Sequence, residues 1–580
     1  MSAAILAANE FVAPEINWVP LIPFMIIAGA GVVGVLVEAF APEARRRMIQ
    51  VVLTLAAQVA ALISLFVVVS KYSTELDEAG IVAVINHSVL FDTLTIPLMV
   101  IILICSILAT LVMIDRTSAK QDPFAPTAAA VPGSEYESLA RARGLEQTEV
   151  FPLFLFALTG MLVFPAAGDF ITMFVALEVL SLPLYVLTAM ARRRRLLSQE
   201  AAFKYFVTGS FASALFLFGA ALTYGATGSV QLGFVAQRAA QLGQADGNYI
   251  LLYLVGMVLI LAGVLFKMGA VPFQAWTPDV YQGAPTAITA FMAAGTKIAA
   301  VGVLIRVVYS LISAAGVDGS NALIKALWIV AIATMLVGTI AGLTQTDIKR
   351  MLAYSSIGHA GFVLVGLIGI KTFTVDEVLF YLLAYGITTV GAFAVVTLVR
   401  EVTPSGEVLG EANHIGQWAG LGKRSPFVAG VFSLFLLSFA GIPLTAGFIA
   451  KFEAFSAAAE GGALPLVLVG VVASAISLFF YIRVIVLMYF VPTAEDRGEE
   501  LAVAAPNSAD PAEDDREIVE LAADEAPVRT SVVVMESATG VEVVKSSGPI
   551  LAVIILAAAF VIGAGVFPGP VLDMIAGLFS

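Results

Sequence analysis

Five cationic side chains interrupt long apolar runs: Lys204, Lys267, Lys297, Lys451 and Arg483. One carboxylate, Glu178, stands near the middle of another, MFVALEVLSLPLY (173–185). A cation at the centre of a membrane helix costs about 2.5–3.5 kcal/mol on insertion scales, so five uncompensated cations would cost on the order of 10 kcal/mol. Water or a partner has to meet them. The chemistry open to these residue types is proton exchange: burial loosens a lysine's hold on its proton and a nearby carboxylate tightens it, so a Lys–Glu pair is a tunable proton trap.

Glu178 has no charged neighbour along its own apolar stretch and needs one from another helix. Lys204 is the nearest in sequence, across ARRRRLLSQ (191–199), and a Glu178–Lys204 pair is expected. The competing plain reading of Lys204 is a side chain snorkelling toward the basic end of its helix. Lys297 lies too deep to snorkel, and its plain reading is a structural pair locking two helices. Lys267 and Lys451 each adjoin a helix-breaking stretch, with Pro272 in FKMGAVPF (266–273) and Pro443 in FAGIPLTAGFIAKF (439–452). Proline frees the carbonyl four residues back, and in lipid that group must find protein or water. A broken helix beside a lysine is therefore a place to expect water, against the plainer reading of a packing kink. His359, beside Ser355 and Ser356, titrates in the range of a natural relay or simply bonds a neighbouring helix. Glu38, Asp92, Glu149 and Asp169 fall near helix ends and read as interfacial.

These side chains have to be held by helices in a bilayer. Of 580 residues, 60% are hydrophobic and 13% charged, which excludes a water-soluble fold. Runs such as LLYLVGMVLILAGVLF (251–266) show no alternation, which excludes a β-barrel. The expected fold is an all-α polytopic membrane protein with fourteen transmembrane helices, near 16–40, 49–70, 89–114, 150–166, 168–190, 199–224, 249–272, 286–308, 321–342, 350–370, 376–399, 426–456, 464–491 and 549–570. The breaks fall in spans seven and twelve, which run in opposite directions, the pattern of two inverted five-helix repeats. The expected domains are three N-terminal helices (1–114), a linker (115–148), the two repeats (149–308 and 309–492), an acidic loop (493–548) and a last helix (549–580). One set of alternating loops carries sixteen Lys and Arg and the other five, so the first set belongs in the cytoplasm and both termini outside.

The net charge of −13 is concentrated in the loop at 493–548, which holds fourteen acidic and four basic residues. It reads as mostly disordered, with RTSVVVMES (529–537) able to form a short strand. A single cysteine, Cys105, excludes an intrachain disulfide and an iron–sulfur cluster held by this chain alone. His87, His359 and His414 lie in different segments and offer no haem pair, and no nucleotide-binding glycine loop follows a strand. The N-terminus lacks the basic flank of a cleaved signal peptide, so the first span is expected to be retained.

Several blocks resemble the antiporter-like membrane subunits of respiratory complex I, and among them the subunit N family of NADH-quinone oxidoreductase. The most specific is VPFQAWTPDVYQGAPTAITAFMAAGTKIAA (271–300), with Pro278-Asp279-Val280-Tyr281 and Gly283-Ala284-Pro285-Thr286. SSIGHAGF (355–362), GIPLTAGFIAKF (441–452) and ISLFFYIRVIVLMY (476–489) agree, so the resemblance spans nearly the whole chain. It departs at Gln274, where the family usually has His, and at Ala287 and Leu444, where it usually has Pro.

The resemblance implies that Glu178 and Lys204 form a modulating pair, that Lys267 and Lys297 lead to a central relay, and that Lys451 is the terminal group toward the outside. It implies no cofactor on this chain, with NADH, FMN, iron–sulfur clusters and quinone in other subunits. Expected partners are the antiporter-like M subunit, small membrane neighbours, the peripheral redox arm indirectly, and lipid, in a bacterial inner membrane, with no nucleic acid. The alternatives are a subunit of a multisubunit cation/proton antiporter or a non-conducting scaffold.

Overall fold

The computed structural model describes residues 16–577 except 75, 77–79, 86, 118–121, 126–133, 137–138, 140–145, 243–246, 314–319, 370–374, 404–407 and 493–539. Outside the described residues lie both extreme ends, much of the 115–148 linker, and most of the acidic loop with its expected strand at 529–537.

In hydrocarbon every backbone N–H and C=O must be satisfied within the segment, so the apolar runs become helices. They are α1 (Ile22–Phe40), α2 (Glu43–Lys71), α3 (Thr95–Ile114), α4 (Val150–Ala166), α5 (Phe170–Thr188), α6 (Arg195–Thr227), an amphipathic α7 (Leu232–Leu242), α8 (Gly247–Met268), α9 (Trp276–Gly283), α10 (Thr286–Phe291), α11 (Lys297–Ser313), α12 (Ser320–Leu343), α13 (Ile348–Ile368), α14 (Asp376–Leu398), α15 (Pro426–Ala440), α16 (Ala446–Glu460), α17 (Leu464–Phe490), α18 (Pro549–Val566) and a short α19 (Gly569–Ala576). Among the described residues twelve helices are long and apolar enough to cross a membrane, with α10 and α11 counted as one. Val150–Ala166 and Pro426–Ala440 are apolar but shorter.

Burial sorts helices that hydropathy leaves alike. The apolar stretches of Thr286–Ser310 and Asp376–Leu398 are buried throughout, whereas only a third of the residues are buried in those of α1, α2 and α17. A helix greasy all round can face lipid or protein, so its composition alone does not say which.

Both expected breaks are present, but the helices stop at glycine and not at proline. Gly269 has φ +76, with Ala270 N–H donating to Leu265 O at 2.9 Å and Gly269 N–H to Phe266 O at 3.0 Å. Gly441 has φ +80, with Ile442 N–H on Leu437 O and Gly441 N–H on Ser438 O, both at 3.0 Å. The two ends share one C-terminal capping pattern, and a left-handed residue is what it requires. Pro272 and Pro443 follow in the connecting stretches, where they prevent the helix from continuing. A third irregularity was not expected: a π-helical turn, Met292–Thr296, ends immediately before Lys297.

Two small sheets lie among the helix connections. β1 (Ile81–Ala83) pairs antiparallel with β2 (Leu90–Asp92). β3 (Val399–Val402) pairs on one side with β4 (Val408–Glu411) and on the other with β5 (Gly540–Val543), Glu401 opposite Val541. The last residues of the acidic segment are thus a docked strand. Asp115 fastens its exit, accepting from Ser547 Oγ at 2.7 Å and Ile550 N–H at 3.0 Å, and so caps the start of α18.

Arg306, one of the five basic residues in the sparser set of loops by the loop-charge reading, lies instead in α11 and makes a two-armed ion pair with Asp92 at 2.8 and 2.9 Å. Removing one partner of such a pair costs about 3–5 kcal/mol, because the other is left buried and unmatched. Asp92 is therefore an anchor between β2 and α11, beyond the interfacial role expected of it.

Candidate functional site

Three of the expected amines are almost completely buried: Lys267, Lys297 and Lys451 are 2%, 3% and 6% exposed. None makes an ion pair among the described residues; each is held by neutral oxygens and an aromatic face. Lys267 Nζ donates to Ser181 Oγ at 2.8 Å and Tyr205 OH at 2.9 Å, and lies 4.9 Å from the centre of the Tyr205 ring. Lys297, the first residue after the π turn, donates to the carbonyl and hydroxyl oxygens of Ser356 and lies 5.2 Å from the Tyr385 ring centre. Lys451 donates to Phe439 O at 2.8 Å, Ala440 O at 3.0 Å and Ser474 Oγ at 2.8 Å, over the Phe362 ring at 4.7 Å. Hydrogen bonds to a charged group contribute about 1.5–3 kcal/mol each, which offsets the cost of bringing an ammonium out of water.

The breaks explain how Lys451 is held. α15 ends at Ala440, so its last carbonyls have no intrahelical donor, and Lys451 of α16 reaches back to two of them. A helix C-terminus carries partial negative charge, which suits a cation. Lys267 is on the other side of its own break, in the last turn of α8, and finds its acceptors on α5 and α6 instead.

Hydroxyls and rings lie between the amines. Tyr281 OH lies 3.4 Å from Ser356 Oγ, extending the Lys297 site toward Tyr205. His359 stands between Lys297 and Lys451 and feels the charge of both. Its Nδ1 is 2.6 Å from Tyr381 OH, its ring is 5.1 Å from that of Tyr385, and its Nε2 is buried with no hydrogen-bond partner. Among the described residues, direct hydrogen bonds do not close the interval from Tyr205 to Tyr281, that from Ser356 to His359, or that from His359 to Lys451. Proton movement across any of them requires water or a side-chain rotation.

The expected Glu178–Lys204 pair is not formed. Lys204 Nζ is held by Glu200, one turn back on α6, and by Asp279 of α9 at 2.9 Å. Those carboxylates lie within ion-pair distance and Glu178 does not. Lys204 is also 44% exposed on its side chain, unlike the three buried amines. Glu178 instead adjoins Lys267: its charge acts on that amine and on Tyr185, and its Oε1 is buried without a hydrogen-bond partner. Arg483, the fifth cation within the apolar runs, meets backbone carbonyls. It donates to Leu343 O at 2.8 Å and Gln345 O at 2.5 Å, closing the carbonyl end of α12. A guanidinium keeps its proton in proteins, and these contacts are those of a structural clamp. Gln274, in the place of the family's usual His, has a buried Oε1 without a partner.

Sequence reasoning met Tyr281 only as part of a family motif and did not single out Ser181, Tyr205, Tyr385 or Ser474, nor a further buried lysine, Lys349. Lys349 Nζ donates to Ala284 O at 2.8 Å, just before α10. Beside it lies Glu411 on β4, which accepts from Thr286 Oγ1 at 3.1 Å and faces Arg400 at 3.7 Å. Burial pushes the Glu411 carboxyl up, but Arg400 and Lys349 outweigh this and bring it from its ordinary 4.5 down to about 2. Hydroxyl-bearing residues inside apolar runs were the signal that could have found the first group.

A polytopic helical membrane subunit, with glycine-ended broken helices and amines buried beside them, is the class that this fold and site define. The family model described as NADH:quinone oxidoreductase/Mrp antiporter, TM, matches residues 167–477. The chain is 54% identical over 472 residues to NADH-quinone oxidoreductase subunit N of Beutenbergia cavernae, covering 80% of this chain and 87% of that one. It is 50% identical over 527 residues to subunit N of Rhodococcus opacus, covering 87% and 93%. Among solved structures, a chain of respiratory complex I from Thermus thermophilus with bound aureothin superposes with TM-score 0.67 at 27% identity, covering 95% of this chain and 98% of that one. A chain of the Mrp complex from Dietzia sp. shares the fold with TM-score 0.68 at 20% identity, covering 97% and 98%. The chain belongs to the antiporter-like membrane-subunit family of complex I, and within it to the subunit N group.

Proposed function

We propose that this chain moves protons across a bacterial cell membrane as a non-redox subunit of an NADH-quinone oxidoreductase, through Glu178, Lys267, Lys297, His359 and Lys451. The observation that carries the relay is the seating of three buried amines on neutral acceptors, each at or beside an interruption of its helix. Lys297 and Lys451, so held, can give up a proton without leaving a buried carboxylate stranded, and Lys267 has only Glu178 acting on it from beyond ion-pair distance, which a tight pair would not allow.

Electron transfer and quinone chemistry in other subunits change the field at one end of the axis. Glu178 answers by changing its partner, and Lys267 passes its proton by way of Tyr205 and water toward Lys297. From there His359 and Tyr381 hand it toward Lys451, which releases it outward. The partners are the neighbouring antiporter-like and small membrane subunits, and NADH, FMN, iron–sulfur clusters and quinone are carried by other chains. Both termini face outward, as the loop charges require. Two inverted five-helix repeats, α4–α11 and α12–α17, supply the paired breaks.

Replacing Lys267 with Ala in the assembled complex abolishes NADH-driven acidification of membrane vesicles. A normal ratio of protons to electrons in that variant defeats the relay assignment. Sodium-dependent transport by a complex lacking redox subunits would support the antiporter alternative instead.

A further inference from the structure

The carboxylate that holds Lys204 is itself shared. Asp279 Oδ2 lies 2.9 Å from Lys204 Nζ, and its Oδ1 lies 2.6 Å from Arg350 Nη1 of α13. Asp279 sits on α9, the half-helix that follows the break beyond Lys267. Lys204 of the first five-helix unit and Arg350 of the second therefore share one acidic group, carried by the first unit. Glu178, meanwhile, has a buried carboxylate oxygen with no hydrogen-bond partner.

We propose that Asp279 is the second counter-ion of Lys204: a positioning residue that holds the amine away from Glu178 in one state and releases it to Glu178 in the other. This rests on the reading of Glu178 and the buried lysines as a proton relay. Three observations support the exchange. The helices α5 and α6 pack side by side: Tyr205, next to Lys204, meets Tyr185 edge-on at 4.6 Å, and Tyr185 is two turns of α5, roughly 10 Å of rise, from Glu178. Two long side chains can share that span. Arg350 stays on Asp279 when Lys204 leaves, so neither position of the amine strands a charge. The Lys204 site is part-exposed, where ion pairs are weak and easily exchanged. Once Lys204 reaches Glu178, the carboxylate that acts on Lys267 has a cation of its own.

The test uses the whole complex in membrane vesicles, read by NADH-driven acidification and by the amount assembled. Asp279→Asn is expected to slow pumping about fivefold or more at normal assembly, and Asp279→Glu to restore it to within about twofold. In a Glu178→Gln background, Asp279→Asn is expected to add less than about twofold, because the exchange has already lost one end. Normal pumping in Asp279→Asn, or losses that multiply in the double variant, overturns the proposal. If Glu178→Gln alone pumps normally, the relay reading falls and this proposal with it. If Glu178→Gln fails to pump while Asp279→Asn is normal, only the role of Asp279 is lost. Should Asp279→Asn not assemble, Arg350→Gln decides: it leaves Asp279 to Lys204 alone and is expected to slow pumping about threefold, whereas an unchanged rate overturns the proposal.

Discussion

Lys267 and Lys451 occupy matching places beside two breaks built by the same glycine cap, yet they are bound by different chemistry. Lys267 rests on two hydroxyls from neighbouring helices with Glu178 nearby. Lys451 rests on two backbone carbonyls at the end of α15 and one serine hydroxyl. Hydroxyls rotate and can donate as well as accept; helix-end carbonyls only accept and are fixed in place. In the proposed relay, the Lys267 site would suit proton exchange and the Lys451 site would suit holding the charged amine until it is displaced.

The largest expected effects come from removing the amines. Lys267→Ala and Lys451→Ala both reduce vesicle acidification on the order of 100-fold, but they part company in stability. Without Lys451 the Phe439 carbonyl is left buried and unmatched, which costs about 1–3 kcal/mol and lowers the thermal unfolding midpoint of the complex in detergent. Without Lys267, Ser181 and Tyr205 can rotate toward other partners, and the midpoint stays near normal. Equal destabilisation by both variants would break the comparison.

The glycine caps sharpen it. A Cβ at Gly441 would meet Lys451 Cδ at 2.9 Å, whereas one at Gly269 would meet Thr277 Oγ1 at 3.0 Å and no part of Lys267. Both Gly→Ala variants carry a backbone penalty of about 1–2 kcal/mol at positive φ. Gly441→Ala is expected to slow pumping about tenfold and Gly269→Ala about twofold or less, measured at equal amounts of assembled complex.

A smaller difference separates the serines. Ser181→Ala removes one of two hydrogen-bond acceptors of Lys267 and is expected to slow turnover about fivefold. Ser474→Ala leaves Lys451 its two carbonyls and is expected to cost about twofold.

The smallest effect lies away from both amines, at Glu411. Its carboxyl is depressed in the folded state, so its stabilising contribution, at most about 3 kcal/mol, is present above pH 4.5 and lost as pH falls from there to about 2. Glu411→Gln is expected to lower the unfolding midpoint at pH 7, with the gap from the unsubstituted protein closing as the pH falls through that window. A gap that stays constant with pH would remove the electrostatic account.

The fold was largely readable from residues. Runs such as Thr95–Ile114 and Leu464–Phe490 are long and apolar enough that a helix is the only backbone conformation lipid accepts. The neighbourhoods of both breaks were readable too, since Gly441-Ile442-Pro443 and Gly269 to Pro272 cannot continue a helix. Pairing was not. Proximity in sequence pointed Lys204 at Glu178, and the chain turns it to Glu200 and Asp279 instead. The strand at Gly540–Val543 was hidden inside a segment whose composition says only that it is acidic.

By itself the sequence determined that this chain crosses a bilayer many times, that charge is buried inside it, and where its helices must be interrupted. These follow from the cost of moving backbone and charge into hydrocarbon, which each short segment meets alone. Which oxygen meets which amine was decided only when the helices packed. Hydrophobicity is indifferent to direction, so it cannot choose the face a helix turns to its neighbour, whereas a hydrogen bond requires its donor and acceptor within about 3 Å.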